Sequence, residues 1–214
     1  MGTQLHHRKL SRIAINRTVI VSLMVLVANV KTGFAQSSND DIWQQLQQGQ
    51  VVALMRHAIA PGTGDPVNFS VNDCTTQRNL SSEGVRQAQA IGDAFRSNGV
   101  RNVALYSSQW CRCVDTATHL DIGQVQTLPA INSFFADRTT AAEQTEKTQN
   151  IVLTHLEKFK NAPGTDTIDA AMVLVTHQVN ITALVDVFPA SGEIIFVHLS
   201  NAQLAVVDRV LIAD

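Results

Sequence analysis

An unbroken apolar run at residues 51–55 ends directly in the charged pair Arg56-His57. A short apolar run without alternation, preceded by a glycine, is typical of a strand that is buried on both faces. Such strands belong to parallel sheets covered by helices on both sides, which favours the α/β class. Ligands of open α/β sheets bind where strands end, so Arg56 and His57 indicate an anion site with a nucleophile or base beside it. The alternative is a strand end that is merely polar.

Two later segments repeat this arrangement. Residues 103–106 predict a second strand, followed by two serines and by a helix start that carries Arg112. Residues 172–176 predict a third buried strand, which ends in His177. The carboxyl ends of parallel strands meet at one edge of a sheet, so these side chains are expected to converge. If these side chains served packing alone, three strands would have to deliver Arg or His to the same edge of the sheet by chance.

The remaining pattern predicts helices between the strands and a hairpin at the C-terminus. The elements are helices at 41–48, 82–97, 111–119, 141–161 and 180–187, a weak strand at 125–127, and hairpin strands at 192–199 and 202–207. Strands that alternate with helices predict a three-layer α/β sandwich with a mainly parallel central sheet. The loop at 59–76 exceeds common connection lengths, so we expect a lid or a substrate wall there. Its polar candidates are Asn68, Asp73 and Arg78, with Arg78 expected to reach a bound anion.

Four motifs, in order, resemble the histidine phosphatase superfamily, which has the phosphoglycerate mutase-like fold. They are Arg56-His57-Ala58, Leu80-Ser81-Ser82-Glu83-Gly84, Ser107-Ser108-x-x-x-Arg112-x-x-x-Thr116-Ala117 and Val175-Thr176-His177. The resemblance runs from about residue 51 to about residue 186. Arg78, just upstream of the second motif, is similar to its counterpart in the short bacterial phosphohistidine phosphatases.

The resemblance implies a phosphatase that works through a phosphohistidine. His57, as a neutral imidazole, is expected to attack phosphorus, and His177 to donate to a phosphoryl oxygen in the transition state. Arg56 and Arg112 are expected to hold the non-bridging oxygens, because a guanidinium binds bidentately and stays charged. Neighbouring arginines also disfavour protonation of His57. No metal or other cofactor is expected, because the guanidiniums take a metal's place.

The proton donor for the leaving group is the weakest match to the family. Many relatives carry a glutamate where this chain has Asn132 or Ser133, and neither of these is an acid. Asp137 is the nearest carboxylate and is assigned as the acid, with Glu143 next. The alternative is a solvated Asp137 that pairs with Arg138. This departure favours substrates that leave without a strong proton donor, such as phosphoramidates.

Residues 1–35 have the pattern of a secretory signal peptide. The cations of its first part are Arg8, Lys9, Arg12 and Arg17. An apolar stretch at 18–30 follows, too short to span a membrane comfortably, and small residues at 33 and 35 precede Gln36, the expected mature start. The pattern predicts export to a bacterial periplasm or secretion, with an uncleaved N-terminal anchor as the alternative. The remaining residues, 36–214, have the length of one domain.

Three cysteines fit an oxidising compartment, and an odd number leaves one of them free. Cys111 and Cys113 flank Arg112 and cannot readily bond each other within a helix. A disulfide from Cys74 to either Cys111 or Cys113 is therefore predicted. A zinc cluster is the alternative, but neither a Cys-x-x-Cys spacing nor a nearby histidine supports it.

Composition excludes several partners. The formal net charge is −2, so nothing basic enough for nucleic acid is present. No long apolar run follows the signal peptide, and no stable membrane association is expected once it is cleaved. The expected partner is a phosphorylated small molecule or a phosphoprotein. Two other functions stay open: a phosphomutase and a non-catalytic phosphate-binding module.

Overall fold

The computed structural model describes residues 1–2, 37–101, 103–160 and 170–212. The predicted signal peptide at 1–35 therefore lies, apart from its first two residues, outside the described residues. Among the helices that are described, none is long and apolar enough to cross a membrane.

In the described part of the chain, strands form one mainly parallel sheet. They are β1 (Val52–Arg56), β2 (Ala104–Ser107), β3 (Val125–Thr127), β4 (Met172–Thr176), β5 (Ile194–Ser200) and β6 (Gln203–Val210). Their order across the sheet is β3-β2-β4-β1-β5-β6. Strands β1 to β4 run parallel, while β5 is antiparallel to β1 and β6 is antiparallel to β5. The predicted sheet is confirmed, including its C-terminal hairpin.

Helices cover both faces of this sheet. They are α1 (Ser37–Gln47), α2 (Ser82–Ser97), α3 (Cys111–Leu120), α4 (Ala141–Lys160) and α5 (Gln178–Val185). Alternate residues of β1 enter two separate cores: Ala53 and Met55 pack with α1, α2 and α3, whereas Val52 and Leu54 pack with α4 and α5. The predicted three-layer sandwich is therefore confirmed. Helix α1 begins earlier than predicted, α5 is shifted towards the strand that precedes it, and residue 161 lies outside the described residues.

The strands β1, β2 and β4 end side by side. In the parallel register, Arg56 pairs with Thr176, and Ser107 pairs with Val175. The backbone N–H of His57 continues the ladder to the carbonyl oxygen of Thr176 at 2.9 Å. The three strand ends singled out in the sequence thus meet at one edge of the sheet.

The start of α2 packs directly against the backbone that follows His57. The Ser81 side chain caps the helix by accepting from the Gly84 N–H at 3.0 Å, and the Ser81 N–H donates to the Ile59 carbonyl oxygen at 3.0 Å. A Cβ atom at Gly84 would lie 2.1 Å from that carbonyl oxygen, so only glycine fits. The Leu-Ser-x-x-Gly motif therefore fixes the loop that leaves β1.

Candidate active site

His57 lies at the end of β1 with only 2% of its surface exposed. Its Nδ1 lies 2.8 Å from the carbonyl oxygen of Ala58, which only accepts, so Nδ1 carries the ring proton. Burial lowers the pKa of His57 to about 3, and the charge of Arg112 adds to this effect. The imidazole is therefore neutral at physiological pH, and its Nε2 presents a lone pair.

Arg112, in the first turn of α3, directs its Nε–H at that lone pair from 3.2 Å. Its Nη2 lies 3.4 Å from Nδ1 of His177, so one edge of the guanidinium faces both imidazoles. The His57 and His177 ring centroids are 5.6 Å apart. Two histidines that are 120 residues apart in sequence therefore flank one buried guanidinium, as the sequence predicts.

Asp65 holds the other edge of the same guanidinium. Its Oδ1 accepts from Nη1 of Arg112 at 2.7 Å, and its Oδ2 accepts from Nη2 at 3.2 Å. Oδ1 also accepts from the Arg78 backbone N–H, and Oδ2 from the indole N–H of Trp110. Burial acts to raise the pKa of Asp65, but the hydrogen bonds and charge of Arg112 outweigh it and lower the pKa. Asp65 is therefore a carboxylate that fixes the orientation of Arg112.

Every N–H of the Arg112 guanidinium has an acceptor within 3.4 Å. Asp65 takes two, His57 and His177 take one each, and the Arg78 carbonyl oxygen takes the fifth. A bound phosphoryl group must therefore take over donors that now point at imidazoles, because Asp65 occupies the opposite edge.

His177 follows β4 and is 3% exposed. Its Nε2 lies 2.9 Å from the Ser108 hydroxyl, which in turn donates to the side-chain oxygen of Asn132 at 3.2 Å. This series of hydrogen bonds places the His177 proton on Nε2 and leaves Nδ1 as an acceptor. Burial, and next the neighbouring His57 and Arg112, hold the pKa of His177 well below its ordinary value. The predicted donation to a phosphoryl oxygen therefore requires a proton that arrives with the ligand.

Arg56 and Arg78 bring two further guanidiniums to the site. Together with Arg112, Asp65 and the two histidines, they form the part of the site that we call the floor. The Arg56 Nη1 donates to the carbonyl oxygen of Pro189 at 2.9 Å, whereas its buried Nε has no acceptor among the described residues. The Arg78 side chain donates to the carbonyl oxygens of Gly64 and Ala60. Both guanidiniums line the same cavity as the histidines. A buried donor without a partner is costly, so an anion that reaches the Arg56 Nε gains a hydrogen bond there.

Thr116 belongs to the motif that begins at Ser107, and it has a structural role there. It lies one turn after Arg112 and donates to the Arg112 carbonyl oxygen at 2.6 Å. Its hydroxyl also accepts from the Ala58 N–H at 3.0 Å. Thr116 thereby ties α3 to the backbone beside His57 and sets the distance between that histidine and Arg112.

The predicted disulfide forms between Cys74 and Cys111, with a Cα–Cα distance of 5.7 Å. It joins the loop at 59–76 to the first residue of α3, beside Arg112. Cys113 is free and buried, its sulfur 3.5 Å from Nε2 of His177. Burial raises the pKa of Cys113 to about 12, so its thiol is not a nucleophile at neutral pH.

A cavity of about 750 Å³ lies over these side chains. Trp110 forms part of its wall, stacked on Phe69 with ring centroids 4.9 Å apart. The predicted loop candidates Asn68 and Asp73 do not line it; Asp73 instead caps a short 3-10 turn through Thr75. The long loop thus lines the cavity, but through residues other than those two.

Asp137, the predicted acid, also lines the cavity but is exposed. It caps a 3-10 turn by accepting from the Thr139 hydroxyl and N–H, at 2.6 and 2.9 Å. These hydrogen bonds lower the pKa of Asp137 and keep it ionised at neutral pH. Its partner is Thr139 rather than Arg138. Of Asn132 and Ser133, near which the resemblance places a glutamate of many relatives, Asn132 is held by Ser108 and Gln109.

Within the described residues, no group of three or more His, Cys, Asp and Glu side chains is arranged to hold a metal ion. The charged side chains of the floor are three arginines and Asp65, so the floor carries a net charge of +2 while both histidines are neutral. That charge matches a phosphoryl dianion.

Residues 52–136 match the model of the histidine phosphatase superfamily, branch 1. This part of the chain therefore has the sequence pattern of the histidine phosphatase superfamily. The matched stretch contains Arg56, His57, Arg78 and Arg112, whereas His177 lies beyond it and joins the site through β4. No curated protein sequence is a significant match.

Solved phosphatase structures are similar in fold to this chain. The phosphoserine phosphatase of Entamoeba histolytica, in complex with 3-phosphoglyceric acid, is 13% identical with a TM-score of 0.50, over 74% of this chain and 95% of that chain. The mycobacterial glucosyl-3-phosphoglycerate phosphatase is 16% identical with a TM-score of 0.50, over 73% and 95%. The protein histidine phosphatase SixA in complex with tungstate is 13% identical, with a TM-score of 0.47, over 74% and 95%.

Asp65 is the functional candidate that the sequence analysis missed. It stands in Gly64-Asp65-Pro66, a combination typical of a turn, and no periodic pattern distinguishes it from other loop carboxylates. The one available signal is that its loop follows β1 at the ligand-binding edge of the sheet. The predicted site residues Arg56, His57, Arg78, Arg112 and His177 all line the cavity.

Proposed function

We propose that the chain is an exported phosphatase that hydrolyses phosphomonoesters or phosphoramidates through a phosphohistidine on His57. The match of residues 52–136 to the histidine phosphatase model supports phosphatase activity. One observation carries the choice of nucleophile: Nε2 of His57 is unprotonated, buried, and 3.2 Å from the Nε–H of Arg112. A neutral imidazole held beside a cationic fork is both nucleophilic and close to where an anion binds.

In this proposal, the phosphoryl group enters between the two imidazoles. Its oxygens accept the Nε–H and Nη2–H donors of Arg112 that now point at His57 and His177. The buried Nε of Arg56 gains an acceptor, and Arg78 contributes charge from the loop. Each charge-assisted hydrogen bond contributes roughly 1.5–3 kcal/mol, so binding replaces weak imidazole contacts with stronger ones.

Attack by Nε2 of His57 forms the P–N bond as the P–O or P–N bond to the leaving group breaks. A monoester that enters as a monoanion hands its proton to Nδ1 of His177, which then donates to a phosphoryl oxygen. Because Asp137 is ionised at neutral pH, the leaving group takes its proton from water. Water then attacks the phosphohistidine, which releases inorganic phosphate and restores His57.

Turnover of a substrate panel tests this proposal. The panel is 4-nitrophenyl phosphate, phosphoramidate and 3-phosphoglycerate, offered to the mature protein and to His57→Ala. We expect phosphate release from the first two substrates, lost in the folded variant. A phosphomutase would isomerise the phosphoglycerate, and a binding module would turn over nothing; either result contradicts the proposal.

Export and the division into residues 1–35 and 36–214 belong to the same proposal. The charged and then apolar N-terminal pattern supports it, and the Cys74–Cys111 disulfide fits an oxidising compartment. Expression of the whole chain in a bacterium, followed by N-terminal sequencing of the periplasmic fraction, tests it. We expect a start at Gln36; an uncleaved N-terminus in the membrane fraction contradicts it.

A further inference from the structure

Large apolar side chains line the mouth of the cavity above the arginine floor. Three large apolar side chains on its wall are exposed: Phe188 at 71%, Phe135 at 49%, and Val67 completely. They make up half of the exposed large apolar side chains found in the described residues, the others being Met1, Val207 and Leu211. Exposed apolar side chains that gather around one opening mark a binding surface, whereas scattered ones do not.

These side chains come from separate segments. Val67 lies in the loop at 59–76, Phe135 lies between two 3-10 turns, and Phe188 lies between α5 and β5. Packing of a single loop therefore does not explain the cluster. The half-buried Trp110 continues the apolar wall inward and approaches the ring of His177, with centroids 5.5 Å apart. Apolar surface thus extends from the opening down to the ring of His177.

Among the described residues, positive charge is concentrated in the floor and is absent from the apolar wall of the cavity. The cations that line the cavity are Arg56, Arg78 and Arg112, all in the floor, and the wall adds a single charged side chain, the carboxylate of Asp137. A leaving group that carried a second phosphate or a carboxylate would be repelled by Asp137. It would find no cation on the described part of the wall to bind it. For a leaving group rich in hydroxyls, the uncharged polar side chains of the described lining, apart from the histidines and Trp110, are three: Thr63, Ser133 and Gln178.

We propose that this mouth selects phosphomonoesters whose alcohol portion is an apolar group, held against Phe135, Phe188 and Val67 while the phosphoryl group lies on the arginine floor. The inference rests on the proposed phosphatase function and names its substrate class. The cavity volume of about 750 Å³ lies within the range that encloses molecules of drug size. An alkyl chain and an aromatic ring share this chemistry, and the experiment distinguishes them.

Phosphonates separate recognition from chemistry, because their P–C bond is not hydrolysed. Calorimetry measures the affinity of the mature protein for methylphosphonate, butylphosphonate, octylphosphonate and 1-naphthylmethylphosphonate. A fully buried methylene increases affinity about fourfold, so we expect at least a tenfold gain from the methyl to the octyl compound. A larger gain for the naphthyl compound identifies an aromatic leaving group, and a larger gain for the octyl compound identifies an alkyl one.

Matched variants locate the effect. Phe188→Ser and Phe135→Ser change exposed loop side chains, and we expect each to reduce the gain at least threefold while methylphosphonate binding stays within twofold. Leu211→Ser, a comparably exposed side chain outside the cavity, is the control and should change nothing. Equal affinity for methyl and octyl compounds, or a gain that neither phenylalanine variant reduces, overturns the inference.

Ester turnover is measured in parallel, so that the two proposals fail separately. Chain-length-dependent phosphonate binding without hydrolysis of any ester overturns the proposed function and supports the apolar site. Hydrolysis of esters without any dependence of phosphonate affinity on the apolar group supports the proposed function and overturns the apolar site.

Discussion

At the floor of the cavity, His57, Arg112 and His177 are almost completely buried, and each is oriented by backbone or side-chain hydrogen bonds. At the mouth, Phe135 and Phe188 are exposed and come from loops. Strand ends hold the groups that react, because catalysis requires fixed positions. Loops hold the groups that recognise the rest of the substrate, because a loop can vary without disturbing the sheet. The difference separates the chemistry of this site from its specificity.

Two links, one ionic and one covalent, connect the floor to the loop at 59–76, which carries Val67 of the mouth. Asp65 reaches from the loop at 59–76 to Arg112, and the Cys74–Cys111 disulfide joins the same loop to the start of α3. If the two regions do have separate roles, changes in the floor reduce turnover of every substrate. Changes in the links reduce the precision or the stability of the floor.

The largest effect is expected from Arg112→Lys, which keeps the charge and removes the planar fork. Two hydrogen bonds to the phosphoryl group are lost, at roughly 1.5–3 kcal/mol each. We expect kcat/KM to fall about 10²- to 10⁴-fold for all substrates alike. Steady-state kinetics measure this, with Arg86→Lys on the exposed face of α2 as the control. A loss confined to substrates with apolar groups would show that the two regions are not separate.

The next largest effect is expected from Cys74→Ser. The disulfide closes a separation of 37 residues, and chain-entropy arithmetic assigns it about 4 kcal/mol of the free energy of unfolding. Urea denaturation of the variant and of the wild type measures the difference. The denatured wild-type protein should show one reactive thiol before reduction and three afterwards; three before reduction would rule out the disulfide.

A smaller effect is expected from Asp65→Asn. The amide offers one acceptor oxygen where the carboxylate offers two, so the Arg112 fork loses half of its support. We expect kcat/KM to fall about 10- to 100-fold, with the inhibition constant of phosphate measured alongside as a check on anion binding. Asp93→Asn, on α2 and outside the cavity, is the control. An increase in kcat/KM would mean instead that Asp65 competes with the substrate for Arg112.

A further effect is expected on the free energy of unfolding as a function of pH. Unfolded histidines take up protons near pH 6.5, whereas the pKa of His57 is about 3 and that of His177 is also lowered in the folded protein. Between these values the unfolded chain binds more protons, so the free energy of unfolding decreases as the pH falls. Each group contributes a slope of up to about 1.4 kcal/mol per pH unit.

His57→Gln should make this slope shallower in urea denaturation curves recorded from pH 7 to pH 4. His198→Gln, at a half-buried position on β5 outside the cavity, is the control. An unchanged slope in His57→Gln would mean that this imidazole is protonated in the folded protein at the lower end of that range.

Much of the floor was predictable from the sequence, for a physical reason. Parallel strands are buried apolar runs, and their carboxyl ends share one edge of the sheet, so Arg56, His57 and His177 were placed together by order alone. The choice between Cys111 and Cys113 was not predictable, because it depends on which side of α3 faces the loop. Asp65 and Phe188 were not predictable either, since loops carry no periodicity that indicates where a side chain lies.

Trapping of the covalent intermediate tests the central role of His57 most directly. The mature protein is quenched in alkali during turnover of 4-nitrophenyl phosphate, digested, and mapped by mass spectrometry and ³¹P NMR, with folded His57→Ala as the control. We expect the phosphoryl group on Nε2 of His57, stable in base and labile in acid, and none in the variant. A phosphoryl group on another residue, or full turnover by His57→Ala, would contradict the mechanism.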